Sequence, residues 1–280
     1  MKNHRLLKKI QPWLEGELGA LIGRPGHPLV AVLATEPRAE GSRTLWAVRV
    51  QGQAIVTVRE DWLEHVQRAV STLSLDELFT VFGVYELARV TLPLGTTVFG
   101  PSWYLAADGD SFIPAGDTRP VQLAGEDLEA RVDSSIFWHC PLRQAVVAHA
   151  VFEENRLVAL ATTRLLGDLV YEIGVDVAPR AKSQGLGRAV VSAAGEWILR
   201  QGGLILAVAA PWNVPSVRTM RSLGLRLVLT DLDSFPAPFR LPPQPLGVPH
   251  PDAQIYDYYP AWAMNAAVRP ADEVERLRHE

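Results

Sequence analysis

Cysteine is almost absent. A single residue, Cys140, among 280 excludes an intrachain disulfide framework and any zinc site built from several thiolates. Long apolar runs are missing too: none approaches the roughly 18 consecutive residues of a membrane helix. The amino terminus also lacks the continuous apolar core of a secretory signal. These shortages lead us to expect a cytoplasmic protein with no membrane partner. Nor does one sign of charge dominate. With 27 basic and 31 acidic residues and a net charge of −4, the chain is short of the cationic surface that neutralises a nucleic-acid backbone, so no nucleic-acid partner is expected. No metal is expected either, because neither a zinc-binding pair of histidines with an intervening glutamate nor a carboxylate cluster is present.

What is present divides near residue 115 into an amino-terminal α/β domain of unassigned role, 1–115, and a second domain, 116–280. The basic start MKNHRLLKKI patterns as an amphipathic helix whose Lys and Arg form a solvated face. Strands follow in PLVAVLAT, TLWAVRV and QAIVTVRE, then a helix in DWLEHVQRAVSTL that returns Trp62, Val66 and Ala69 to one side. A second helix is expected over LSLDELFTVFGVYELARVTL, with Ser74 as its cap and Glu77 in the capping-box position. Gly83 either interrupts that helix or brings it close to another backbone. From Pro93 to Pro120, Gly and Pro punctuate short apolar runs, which reads as strands and turns at a domain junction.

The second domain opens on a short helix in GEDLEARVDSSIF. Three strands come next, AVVAHAVFEE, LVALATTRLL and LVYEIGVDV, and their short connections at Asn155 and Gly167 favour an antiparallel meander. The helix LGRAVVSAAGEWILRQGG ends at Gly202 and Gly203. After the strand LILAVAA, a short helix in PWNVPSVRTMRSLGL has Asn213 to cap it and Gly224 to end it, and a last strand follows. The expected fold class is therefore α/β, with a mixed, mainly antiparallel central sheet flanked by helices. Beyond Leu229 the proline-rich DLDSFPAPFRLPPQPLGVPHPDAQIYDYYP reads as an extended surface segment, with Phe235, Phe239, Tyr256, Tyr258 and Tyr259 packing on one another.

The stretch KSQGLGR, Lys182 to Arg188, lies between a strand and a helix. Gly185 and Gly187 have no β-carbons, so they admit unusual dihedrals and close ligand approach, and the first N–H groups of the helix are left to face an anion. The helix dipole, Lys182 and Arg188 favour the same negative charge. A pyrophosphate suits this chemistry; an ordinary tight turn uses the same residues. Two better-known phosphate motifs fit less well. The dinucleotide fingerprint needs glycine where Val190 stands, and the triphosphate loop needs a Gly-Lys-Ser or Gly-Lys-Thr ending that the chain lacks.

Over about residues 118 to 231 the chain resembles the GCN5-related N-acetyltransferase (GNAT) superfamily, most strongly in EIGVDVAPRAKSQGLGRAVV. The family's turn runs Gln or Arg, two variable residues, Gly, one variable residue, then Gly or Ala. Lys182, Gly185 and Gly187 occupy those positions, with Lys182 keeping the charge but not the guanidinium or amide shape. A second element, NVPSVRTMRSLGL, is similar to the family's pattern through Asn213, Ser216, Leu223 and Gly224, with Leu225 in place of an aromatic. The resemblance implies acetyl-CoA as cosubstrate and transfer of its acetyl group to a small-molecule or peptide amine by direct attack in a ternary complex. It implies that Lys182, Ser183, Gln184, Gly185, Leu186, Gly187 and Arg188 receive the pyrophosphate. Val175 and Val177 would align the pantetheine through their main chain, Asn213 and Ser216 would lie beside the cofactor arm, and a splay between LVYEIGVDV and LILAVAA would admit the thioester.

Many relatives place a tyrosine seven residues after the matched asparagine as the acid for the departing thiolate; here that residue is Met220, which cannot donate a proton. An alkylammonium acceptor, with a pKa of about 10, must lose a proton before it attacks. Glu172 resembles the acidic position used by some relatives and is the first candidate base, although an ordinary carboxylate pKa of about 4.3 calls for burial or a water relay. His139, in SSIFWHC beside Trp138, and His149, within a strand, are the alternatives. Cys140 would be a nucleophile only if activated by a base such as His139, and a buried cysteine is the plainer reading. Loss of the tyrosine leaves open a noncatalytic acyl-CoA-binding sensor or interaction protein. The amino-terminal domain leaves open a homodimer contact.

Overall fold

In the computed structural model, which describes residues 2–22, 29–35, 44–124 and 128–236, the basic start of the chain is helix α1 (Lys2–Leu18). Leu6, Ile10, Leu14 and Leu18 recur at helical spacing and are buried. Arg5 and Lys9 remain 40% and 50% exposed, as expected of a solvated face, and both also donate to Asp108, at 2.8 and 2.7 Å, a residue that is itself almost inaccessible. Desolvation pushes the Asp108 pKa up, the bonds and charges of Lys9 and Arg5 pull it down, and the balance lies below its ordinary value.

The elements that follow are β1 (Val30–Thr35), β2 (Leu45–Val50), β3 (Gln53–Arg59), α2 (Leu63–Val70), α3 (Leu75–Leu78), α4 (Val81–Thr91), β4 (Thr96–Ala107) and β5 (Val121–Ala124). Then come α5 (Leu128–Arg131), β6 (Val147–Glu153), β7 (Arg156–Gly167), β8 (Val170–Val177), α6 (Leu186–Arg200), β9 (Leu204–Ala209), α7 (Val214–Ser222) and β10 (Arg226–Pro236). The described residues form two compact units that interleave in sequence. Among the described residues, one draws on 2–22, 48–53, 101–124 and 128–231, the other on 29–35, 44–47, 54–100 and 232–236. No helix among the described residues is long and apolar enough to cross a membrane.

In the second of these units β1 and β3 pair in parallel, from Val30 opposite Ala54 to Thr35 opposite Arg59. Its core gathers Val56, Val58, Trp62, Val66, Leu78 and Leu87. The single helix expected over residues 73–92 is two helices. Ser74 and Glu77 close a capping box on α3, and Thr80 caps α4. Gly83 explains the break: a β-carbon there would lie 2.1 Å from the Leu78 carbonyl oxygen, so the two helix ends meet backbone to backbone. The surface segment expected beyond Leu229 is corrected over its first residues, which belong to β10. Leu232 is fully buried, the Ser234 hydroxyl accepts the Leu45 N–H at 2.8 Å, and Phe235 meets Phe99 edge to face. Phe239, Tyr256, Tyr258 and Tyr259 lie outside the described residues.

The first unit carries the expected mixed, mainly antiparallel sheet. Its strands run β4, β9, β8, β7, β6, β5, antiparallel at every step except the parallel pair of β8 and β9. The meander β6–β7–β8 turns first at Glu154 and Asn155, both with positive φ (49° and 61°), as a two-residue hairpin turn requires. On one face of the sheet, Leu186, Val190, Ala194 and Ile198 of α6 pack on Leu105, Ala161, Ile173 and Ile205. On the other, Leu128, Phe137, Cys140 and Leu142 cover Ala148, Ala150 and Leu160. Each large apolar side chain so buried contributes roughly 1.5–3 kcal/mol. The short helix expected over residues 125–137 ends, among the described residues, with α5 at Arg131, and Val132 and Phe137 reach this second core from the turns that follow it.

Candidate functional site

The strand β8 and the helix α6 are joined by the glycine turn. Lys182, Ser183, Gln184 and Gly185 are exposed, Leu186 is buried in the core beneath α6, and Gly187 and Arg188 are half-buried. Gly185, at φ 77°, is the left-handed residue that starts α6, and no side chain caps the helix. The opening N–H groups of an α-helix have no partner within it, so this end presents them, with the positive end of the helix dipole, to whatever lies above the turn. Ser183 shares the left-handed conformation at φ 66°. Space above the turn is open. A β-carbon at Gly185 would meet nothing within 4 Å, and one at Gly187 would touch only Val177 Cγ2 at 3.4 Å. The turn thus has room, polarity and charge for a pyrophosphate, with Lys182 and Arg188 beside it.

Next to the turn the sheet parts. β8 and β9 pair only at Val170–Leu204, Tyr171–Ile205 and Glu172–Leu206, although β8 continues to Val177 and β9 to Ala209. Two bonds determine which edge of β8 faces this gap. The Leu204 N–H donates to the Leu169 carbonyl across to β9, and the Ala178 N–H donates to the Val158 carbonyl on the β7 side. Main-chain groups alternate along a strand, so those of Ile173, Val175 and Val177 point away from β7 and into the gap. Val175 and Val177 are therefore placed to offer an extended row of N–H and C=O groups.

Side chains alternate in the same way. Tyr171, Ile173, Val175 and Val177 face α6 and pack with its core, Tyr171 edge to face on Trp197. Glu172, Gly174 and Asp176 face the opposite side. Glu172 is mostly buried and ion-paired with its cross-strand neighbour Arg164, whose Nε donates to Oε2 at 2.6 Å and whose Nη1 donates to Gln144. Gly174 admits the segment before β6: a β-carbon there would sit 2.3 Å from the His139 carbonyl oxygen and 2.7 Å from Pro141 Cδ. Asp176 holds that segment twice. Oδ2 accepts the His139 N–H at 2.7 Å, and Oδ1 lies 2.6 Å from Nδ1 of the same residue. The Trp138 ring lies against the His139 ring at a tilt of 33°, with centroids 3.5 Å apart. The structure thus brings Glu172 and His139 to one face of one strand and adds Asp176, which the sequence reading did not single out. The period-two pattern of LVYEIGVDV was the available signal, because it already put residues 172, 174 and 176 on one side.

The other candidates separate from this face. His149, opposite Ala161, lies on the α6 side of the sheet and is 4% exposed. Burial, then the charge of Arg200, pull its pKa down to about 4, so it is a neutral interior residue rather than a base. Burial, with the charge of Asp176 adding to it, pushes the Cys140 thiol up to about 12, and its Sγ rests against the Leu160 and Gly174 carbonyls. An activated thiolate is excluded there. Asn213 caps α7 by accepting the Ser216 N–H at 3.4 Å, so both residues have a local structural role at the end of β9. Met220 is a core residue of α7, 1% exposed.

Residues 117–225 match the family model described as the acetyltransferase (GNAT) family. No curated protein sequence matches the chain. Among solved structures, the chain is similar to a GNAT-family protein from Novosphingobium aromaticivorans, at 20% identity over 50% of this chain and 66% of that one, with a TM-score of 0.43. It is also similar to a GCN5-related N-acetyltransferase from Kribbella flavida, at 23% identity over 53% of this chain and 62% of that one, TM-score 0.38. A third is an aminoglycoside N-acetyltransferase in complex with CoA, at 15% identity over 41% of this chain and 93% of that one, TM-score 0.33. The match takes in less than two thirds of either of the first two chains. The family-model match is confined to residues 117–225, and it is this stretch of the chain that is similar to the GNAT family.

Proposed function

We propose that this stretch forms a GNAT-family domain, an acetyl-CoA-dependent N-acetyltransferase that acts on a small-molecule or peptide amine by direct attack in a ternary complex. The observation that carries the reading is the gap between β8 and β9 ending at an uncapped helix N-terminus. It supplies, in order along one path, an anion site and an extended main-chain edge, and it closes at the Glu172–Leu206 pair.

In this reading the N–H groups of residues 183–188, with Lys182 and Arg188, bind the pyrophosphate. Val175 and Val177 hold the pantetheine amides as an added strand would be held. Asn213 and Ser216 border the arm at the start of α7. Glu172, at the closed end of the gap, draws the acceptor's ammonium group by charge while Arg164 keeps its carboxylate in place. Direct transfer needs the acceptor nitrogen held within about 3–3.5 Å of the thioester carbon, which such a two-walled gap favours.

A second reading, an acyl-CoA-binding sensor without turnover, is favoured by one observation. The acid position holds Met220, buried in the core, where no proton donor can take its place without repacking. Calorimetric titration with acetyl-CoA, followed by a thiol-release screen against primary amines, separates the two. Binding with amine-dependent release of CoA supports the transferase, binding without release supports the sensor, and absence of binding to the folded protein overturns both.

A further inference from the structure

Along β8 the parted edge and the polar face alternate through the same stretch, 173 to 177, so a side chain lying over that face stands beside the path proposed for the thioester arm. His139 is that side chain. Its backbone carbonyl lies over Gly174, two positions beyond the last β8–β9 pair, and its ring is held at Asp176, between Val175 and Val177. We propose that His139 Nε2 accepts the proton of the acceptor ammonium and that Asp176 is the positioning residue that makes it able to do so. This rests on the transferase reading above.

The bonding of Asp176 carries the inference. Tying the segment to the sheet would need only the bond from the His139 N–H to Oδ2 at 2.7 Å. The second oxygen is spent on the ring of a side chain that remains 39% exposed and gains little from burial, while Asp176 itself is 12% exposed. A carboxylate at Nδ1 holds the proton on that nitrogen and leaves the lone pair on Nε2. Trp138, tilted against it at 3.5 Å between centroids, restricts the ring further. Glu172 has the opposite character, since it is engaged by the guanidinium of Arg164.

The step balances as follows. The ammonium gives one proton to Nε2, and the freed amine attacks the carbonyl carbon. The C–N bond forms, the C–S bond breaks, and the sulfur leaves with the bonding pair. The second amine proton ends on that sulfur through water, and the imidazolium returns its proton to solvent. The ionisable side chains on the elements around the ring are Asp176 and Glu172 on β8, Arg164 on β7, Glu129 on α5, and Asp133, Cys140 and Arg143 on its own segment. Of these, Arg143 pairs with Glu129 and Arg164 with Glu172.

Two measurements test the proposal. Long-range proton–nitrogen NMR on the full chain needs no acceptor and is expected to show His139 with its proton on Nδ1 at neutral pH, a state lost in Asp176→Asn. A proton on Nε2 in the unsubstituted protein overturns the proposal whatever the activity. Single-turnover CoA release is then followed from pH 6 to 10 with acetyl-CoA and a panel of 1,4-diaminobutane, a lysine peptide and kanamycin. Asp176→Asn is expected to slow transfer about a hundredfold with little change in KM, and Asp176→Glu to recover part of it. His139→Gln is expected to replace the acidic limb by a rate that climbs toward the amine's own pKa of about 10, whereas Glu172→Gln keeps the limb and raises KM. If folded His139→Gln retains the full rate at every pH, or if Glu172→Gln removes the limb instead, the assignment is wrong. A correct NMR tautomer with no transfer to any amine overturns the transferase reading, and the catalytic role with it.

Discussion

Replacing Gly174 by alanine tests the contact on which the polar face depends. The new β-carbon would stand 2.3 Å from the His139 carbonyl oxygen and 3.2 Å from Cys140 Cα. An ordinary C···O contact is about 3.3 Å, so the His139 backbone must retreat by about 1 Å. These two are backbone atoms and the third neighbour, Pro141 Cδ at 2.7 Å, is a ring atom, so none can swing aside as the end of a long side chain can. Overpacking of this kind costs about 1–3 kcal/mol, and each kcal/mol lowers the midpoint of a domain this size by roughly 2–4 °C. The middle of the range corresponds to about 4–8 °C. The same movement stretches the bond between His139 Nδ1 and Asp176, now 2.6 Å, beyond the distance at which it survives. Gly185→Ala meets no atoms but must hold φ 77°, at a cost of about 1 kcal/mol. Gly187→Ala has only a 3.4 Å contact and ordinary dihedrals, and is expected to be neutral. Urea unfolding followed by fluorescence, with hydrogen exchange at the Cys140 amide as a local report, should rank the three losses in that order. A Gly174→Ala protein as stable as Gly187→Ala would refute the packing argument.

Gly187→Asp is expected to fold normally yet lose at least tenfold in acetyl-CoA affinity by calorimetry, because its charge enters the space assigned to phosphate without striking the fold. An equally folded variant with unchanged affinity rejects that assignment. Lowering the pH from 7 to 5 should reduce stability by about 2 kcal/mol through His149. Its folded pKa of about 4 lies below the unfolded value of 6.5, so the unfolded chain takes up the proton first and stability falls between those limits. His149→Leu should flatten the urea midpoint across that window, and an unchanged slope counts against the buried neutral state. Cys140 should resist iodoacetamide in the folded protein and react on unfolding, since its thiol is buried and its pKa is pushed up to about 12; alkylation of the folded protein at the rate of a free thiol contradicts this.

Local rules made much of the stretch from β6 to β9 legible. Asn155 and Gly167 announced the tight connections of the meander, the apolar period of LGRAVVSAAGEWILR announced α6, and the two glycines marked the turn between. Missed features depended on contacts distant in sequence. Nothing near Asp108 shows that it will bind Arg5 and Lys9, and nothing within LSLDELFTVFGVYELARVTL shows that Gly83 must press on the Leu78 carbonyl. The two compact units interleave along the chain, an arrangement to which a composition profile is blind. At the site, residue types suggested Glu172 and His139 separately. Their common face, and the part of Asp176 in it, required the pairing register and the approach of the His139 segment to Gly174.

β8 reads in two frames at once. Its odd residues anchor α6 with their side chains and offer their main chain to the gap, while its even residues hold the acidic pair and the opening for His139. One residue inserted within 171–176 would exchange the frames, burying Asp176 under the helix and turning Ile173 or Val175 toward the histidine. The same insertion at 182–184, where the chain is exposed and unpaired with the sheet, would lengthen a loop and leave both frames in step. Variation in length is therefore open to the chain at this turn and closed to it only a few residues earlier, so the turn can change without disturbing the face that carries Asp176 and His139.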